Sequence, residues 1–237
     1  MHKIFYKTNA KAKRKVIFMN EEENRESNGA DMITTKNSRG CIRCLNIIGT
    51  IEGHQTLPQG TKTTKYEHVL PQLVQVEEDE SVDGLLVLLN TVGGDVEAGL
   101  AIAEMISGLS KPTVSLVLGG GHSIGVPLAV SANVSFIANS ATMTVHPMRT
   151  NGTVIGVSQS FEYMKRMQDR IIDFIVRNSK VSSEVYKKLM LTTDEIANDV
   201  GSVLFGEKAV ECGVIDRVGS LSDAMDTLYE LVEKGRG

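Results

Sequence analysis

Hydrophobic positions along the chain switch repeatedly between two periods, and the switching lays out an alternation of strands and helices. Leu85 to Leu89 is an unbroken apolar run between Gly84 and Asn90, which predicts a strand buried on both faces. Thr113 to Leu118 predicts a second such strand, and Leu45 to Ile51, Val134 to Ala138 and Met143 to His146 predict shorter or flanking ones. Tyr66 to Val76 and Val96 to Leu109 carry apolar residues at helical spacing, the latter with Asp95 as its N-cap. Gly119-Gly120-Gly121 predicts a tight turn before a small-residue helix from Ser123 to Ala132. Repeated strand–helix–strand units imply parallel pairing with right-handed crossovers, an α/β fold.

The two ends of this pattern differ from its middle. Residues 1 to 38 are polar and aperiodic, and predict a flexible N-terminal extension ahead of a domain over 39–237. Lys3, Lys7, Lys11, Lys13, Arg14 and Lys15 make its first stretch basic, which suits a solvated terminus or a tail for a membrane surface or partner. After Arg149, Gly152 to Gly156 predicts a short extended piece. Ser158 to Asn178 then predicts one long amphipathic helix with Phe161, Met164, Met167, Ile171, Ile172 and Ile175 along a stripe. Such a helix either extends from the domain as an arm or packs on its own sheet. Ser182 to Gly235 reads as helical, with one strand at Gly213 to Val218.

Composition narrows the picture only a little. A length of 237 residues and 41% hydrophobic content suit one globular α/β domain with an appendage. The net charge of −4 argues against nucleic acid as the main partner. No apolar run approaches a membrane span, and Val16 to Met19 is too short for a signal-peptide core, so a cytoplasmic location is the expectation. Three cysteines suit a reducing compartment. Cys41 and Cys44 form a CxxC, but Cys212 has no ligand-bearing neighbours, so no metal site is expected and both read as strand residues. No cofactor is expected either: Gly119 to Gly125 matches neither dinucleotide nor P-loop spacing.

Candidate chemistry gathers at the glycine turns. Gly121-His122-Ser123-Ile124-Gly125 fits G-x-S-x-G after a strand and at a helix start, where a sharp turn projects the serine hydroxyl. That hydroxyl needs a base. His146 ends a strand, where active sites of open α/β sheets lie, although a purely structural histidine is the competing reading. His122 adjoins Ser123, but adjacent side chains at a helix start point apart, which makes it the poorer base. His54 and His68 receive no role. Gly93-Gly94 allows close backbone approach for an oxyanion site or a peptide groove, or is a plain strand-to-helix turn.

Asn90 to Gly99, Gly121 to Gly125 and Met143 to Pro147, in this order, resemble the three signature blocks of the Clp protease proteolytic-subunit family, and Phe205 to Asp216 resembles its closing segment. Within the family the chain is most similar to the translocation-enhancing branch, whose members have a comparable polar extension. The resemblance implies a ClpP/crotonase-type fold with a protruding handle helix at about 150–190. It implies a serine peptidase with Ser123 as nucleophile, His146 as base, and the amides of Gly94 and Ile124 as oxyanion hole. It further implies stacked heptameric rings of this chain that cleave peptides alone, or unfolded proteins with an ATPase unfoldase, and a link to export or quality control. Extended substrate would add as a strand along Gly93, Gly94 and Asp95 on one side and Thr153 and Val154 on the other. The sequence departs from the family at three points: Val92 replaces the usual proline, His122 a small residue, and Gly201 the triad aspartate. Asp199 is the favoured substitute, then Asp194, then no acid at all. An inactive ring scaffold and a crotonase-like acyl-CoA enzyme are the rival readings.

Overall fold

The computed structural model describes residues 32–149, 155–194 and 199–235. Its frame is a nine-stranded mixed sheet whose main path runs β1 (Ile33–Asn37), β2 (Gly40–Glu52), β4 (Gly84–Gly94), β5 (Thr113–Gly121), β6 (Val134–Ile137) and β9 (Arg217–Val218). β2, β4, β5, β6 and β9 are mutually parallel, as the alternating pattern predicts, while β1 folds back antiparallel on β2. The short β3 (Thr63–Lys65) pairs with β2.

Alternation along the strands divides the core into two layers. Leu85, Val87 and Leu89 of β4 face a large cluster closed by α1 (Tyr66–Glu78), α2 (Val96–Ser107), α3 (Gly125–Val130) and α4 (Val157–Arg177). Leu86 of β4 and Val114 and Leu116 of β5 face the other way, onto Ala224, Leu228 and Val232 of α7 (Leu221–Gly235). Period-two strands between period-3.6 helices produce this sandwich directly.

Four local expectations change. Ile33–Asn37, within the stretch read as a polar extension, is strand β1, because its backbone finds a ladder along Gly40 to Cys44 although its side chains stay exposed. Gly119 to Gly121 is not a turn but the end of β5: Gly121 pairs with Thr91, Gly120 with Thr142, and Asn90 Oδ1 accepts the Gly120 amide at 3.0 Å. The following helix starts at Gly125, not Ser123. Ser202–Phe205, read as helical, is strand β8, pairing antiparallel with β7 (Thr142–Val145), while α5 (Ser183–Met190) and α6 (Gly206–Glu211) flank it.

Helix α4 matches its predicted span to within a residue at each end. Its second half packs into the core through Met167, Ile172, Phe174 and Ile175, whereas Phe161 and Tyr163 in its first half are exposed. Glu97 and Glu104 of α2 pair with Arg170 and Arg177 of α4, one heptad apart on both helices, at 2.9 Å each. Exposed pairs of this kind contribute about 0.2–1 kcal/mol each. Apolar burial therefore holds the helix, and the pairs set its register.

Candidate active site

The C-terminal ends of β4 and β5 deliver the first half of the site. β4 ends on Gly93 and Gly94 with φ of +91° and +150°, values that suit glycine. A Cβ on Gly94 would lie 2.3 Å from the Ile51 carbonyl oxygen, and one on Gly93 2.7 Å from Ser123 Cβ. No side chain fits at either position. Asp95 then turns the chain into α2, its amide on the Ile51 carbonyl at 3.0 Å and its carboxylate accepting the Ala98 amide at 2.8 Å. Loss of such a cap costs about 1 kcal/mol.

Ser123 has φ +57°, the one positive φ outside glycine among the described residues. Strain of this kind is held only where neighbours impose it, and it concentrates at functional positions. Here the neighbours are backbone. The Ser123 amide donates to the Thr144 carbonyl at 2.8 Å, the His122 amide to the Thr91 carbonyl at 3.1 Å, and the Gly125 amide to the His122 carbonyl at 2.8 Å. The hydroxyl is thereby thrown out of the sheet beside Gly93, at the head of α3. Ile124 belongs to that first turn; its side chain is buried against Gly99, so its backbone is fixed.

β7 delivers the histidine. His146 follows its last residue, half-buried, and lines one pocket together with Ser123, Gly94 and Ile124. Its Nδ1 lies 2.7 Å from the Pro147 carbonyl oxygen. A carbonyl can only accept, so Nδ1 carries the proton and, in the neutral ring, Nε2 is the unprotonated nitrogen. No hydrogen bond joins Ser123 Oγ to His146 among the described residues; such contacts commonly tighten only when substrate is bound. Val96, Met148, Ile171, Ile172 and Met190 make the pocket's wall apolar, with Gln168 and Arg149 at its polar side. Tyr186 also lines it, and burial pushes its phenol well above the ordinary range, so it stays neutral.

The structure does not bring Asp199 to His146. Its carboxylate is paired with the Arg149 guanidinium and accepts the Val200 amide at 2.8 Å. Asp194 is exposed, within reach of the Thr193 hydroxyl at 3.4 Å. The β7–β8 register sets Val145 against Ser202, so Gly201, at φ +141°, sits where the residue across from His146 belongs. Thr153 and Val154 lie outside the described residues.

Two residues that the sequence reading passed over prove central. Thr91 is buried; its hydroxyl donates to the Gly49 carbonyl at 2.6 Å and accepts the Gly93 amide at 3.1 Å, which pins the glycine turn. Thr144 accepts the Ser123 amide through its carbonyl and meets His122 Nδ1 through its hydroxyl at 2.8 Å. A β-branched polar residue beside a glycine pair was the available signal for Thr91. Among the described residues there is no cluster of three or more metal-ligating side chains, and no helix long and apolar enough to cross a membrane.

Comparison with known proteins bears on what this arrangement is. Over 193 residues the chain is 56% identical to the translocation-enhancing protein TepA of Halalkalibacterium halodurans, covering 81% of this chain and 75% of that one. It is 27% identical to the ATP-dependent Clp protease proteolytic subunit 1 of Chlamydia muridarum, over 56% of this chain and 69% of that protein. A solved structure of a mutant ClpP1 from Listeria monocytogenes shares the fold, with a TM-score of 0.61 at 21% identity, across 77% of this chain and 94% of that chain. The family model for Clp protease matches residues 39–221, the span that contains the glycine turn, the strained serine and the strand-end histidine, and the chain belongs to the Clp protease family.

Proposed function

We propose that this chain is a serine endopeptidase acting on peptides or unfolded protein. The observation that carries the reading is Ser123, held at φ +57° against Gly93 in the pocket that His146 also lines. Unstrained packing has no use for such a residue there. His146 Nε2 takes the Ser123 Oγ proton as the oxygen attacks a substrate carbonyl carbon, and the amides of Gly94 and Ile124 receive the oxyanion. The imidazolium then gives that proton to the leaving amine, and water hydrolyses the acyl-enzyme by the same steps in reverse order. Asp199 is the acidic partner of His146, exchanging Arg149 for the imidazolium as charge develops.

Substrate lies as an extended strand between Gly93, Gly94 and Asp95 on one side and the segment bearing Thr153 and Val154 on the other. Backbone pairing of this kind gives affinity with little sequence preference. Exposed Phe161 and Tyr163 on α4 support assembly of copies of this chain through that helix, as heptameric rings. The chain works in the cytoplasm with or without an ATPase unfoldase, in export or quality control; the translocation-enhancing name of one relative and the ATP-dependent name of another support the export and ATPase links.

The test is labelling of the full-length protein by a fluorophosphonate, with hydrolysis of a short fluorogenic peptide in parallel. Wild type labels and turns over; Ser123→Ala does neither, with an unchanged circular dichroism spectrum. Turnover that survives Ser123→Ala ends this reading, and a wild type that never labels favours a scaffold that binds chains without cutting them.

A further inference from the structure

His122 stands immediately before the nucleophile, and the mechanism above leaves it without work. Its contacts are unusually convergent. The His122 amide donates to the Thr91 carbonyl at 3.1 Å, on the strand that continues into Gly93 and Gly94. Its carbonyl accepts the Gly125 amide at 2.8 Å and would lie 2.9 Å from a Cβ on Gly93. Its Nδ1 lies 2.8 Å from the Thr144 hydroxyl, on the strand that continues into His146. The ring lies over Gly120, where a Cβ would come within 2.6 Å of Nε2. The imidazole therefore occupies space that a glycine leaves open for it.

Thr144 and His146 are two residues apart, so their side chains leave the same face of an extended chain. The His122 ring, bound to Thr144, sits on that face too. The burial of the ring, and secondarily the charge of His146, hold its pKa below the ordinary histidine value, which keeps it a neutral hydrogen-bonding group. Among the described residues, apart from the Ser123 amide on the Thr144 carbonyl, β7 meets the nucleophile strand through a single bridge, Gly120 to Thr142. The His122–Thr144 bond is thus a side-chain hydrogen bond between the strand that carries the base and the turn that carries the nucleophile.

We infer that His122 is a positioning residue that sets the distance between Ser123 and His146 by tying Thr144 of β7 to the nucleophile turn. The inference rests on the peptidase reading. Misplacement of reacting groups by about an ångström can cost up to 10²-fold, so His122→Ala is expected to slow fluorophosphonate acylation roughly 10- to 100-fold while leaving the KM for a short peptide unchanged. Thr144→Val removes the same bond from the other side without emptying the space over Gly120, and should slow acylation by a similar factor. The double variant should be no slower than the worse single one, because both changes break one bond. His122→Asn keeps a polar group where Nδ1 stands and should restore the rate to within about threefold, which mere packing would not require.

The outcomes separate cleanly. Wild type that labels while His122→Ala and Thr144→Val label at the same rate overturns this inference and leaves the peptidase reading standing. A KM that rises with kcat unchanged overturns it equally, since the residue would then be shaping the groove. A wild type that never labels removes both.

Discussion

The two halves of the site are built differently. The nucleophile half is locked by backbone: the amides of His122, Ser123 and Gly125, the carbonyls of Thr91, His122 and Thr144, and glycines that tolerate no side chain. The base half depends on side chains that have other partners available. His146 holds a carbonyl of its own neighbour, and Asp199 holds Arg149. An oxyanion site must be organised before charge appears, since reorganising dipoles during the reaction would forfeit their advantage. An acid that only steadies an imidazolium can be recruited as the charge forms. On the proposed peptidase reading, the oxyanion half is set in advance and the proton-transfer half only conditionally.

The sharpest way to break that comparison is Asp199→Asn. The variant retains an oxygen for the Val200 amide but cannot stabilise an imidazolium, and loss of a triad carboxylate can lower kcat by about 10⁴. A fall of that order in acylation rate is expected if Asp199 leaves Arg149 for His146 during attack. Acylation at the wild-type rate would show instead that the Pro147 carbonyl suffices to fix the tautomer, and the site would be a Ser–His dyad.

Gly93→Ala attacks the rigid half. A Cβ there meets Ser123 Cβ at 2.7 Å and the His122 carbonyl oxygen at 2.9 Å, at a φ of +91° that alanine resists. The strand end and the nucleophile turn must separate, and acylation should fall roughly 10²- to 10³-fold, the range lost with one oxyanion donor. Pre-steady-state acylation, read alongside peptide KM, measures it. A rate within threefold of wild type would mean that this half is softer than its hydrogen bonds imply.

This division also marks what could be read from the sequence. Glycines and a G-x-S-x-G announce themselves because special backbone needs special residues, so the positive-φ positions Gly93, Gly94 and Ser123, and the place of His146 just past β7, are legible in the sequence. The triple glycine misled, because strand pairing to Thr91 and Thr142 overrides the turn preference of Gly119 to Gly121. β8 was invisible for a related reason: Ser202 to Phe205 is four residues long, and its partner β7 lies some sixty residues earlier. The partner of Asp199 was equally hidden. Which cation claims a carboxylate depends on how the chain returns from α5 to β8, and no local pattern encodes that.

Helix α4 repeats the contrast on a larger scale. Ile172 is 1% exposed and Phe161 66% exposed, on one amphipathic helix. Ile172→Ala should destabilise the subunit by about 2–5 kcal/mol in chemical denaturation. Phe161→Glu should change subunit stability by no more than about 0.5 kcal/mol, while reducing the sedimentation coefficient if that face joins copies of the chain. An unchanged sedimentation coefficient would move the assembly surface elsewhere.

The smallest effect concerns His122 and pH. Burial, and then the neighbouring His146 charge, lower its pKa in the folded chain below the reference value of 6.5. The unfolded chain therefore takes up this proton first as pH falls, so unfolding is favoured on acidification. The contribution is fully present above about pH 6.5 and is lost progressively as pH drops toward the folded pKa, beneath which it no longer changes. Asp216 is displaced in the same direction: burial raises its pKa, but its Lys180 and Ser135 partners outweigh that and bring it below 3.8, so its loss belongs to a more acidic window. Acid destabilisation that begins just below pH 6.5 can thus be assigned by substitution. In His122→Asn the decline of Tm between pH 7 and pH 5, followed by thermal denaturation, should be shallower than in wild type. Identical slopes would mean that His122 takes up its proton in the folded chain as readily as in the unfolded one, and the tie to Thr144 would then have to work equally well with a charged ring.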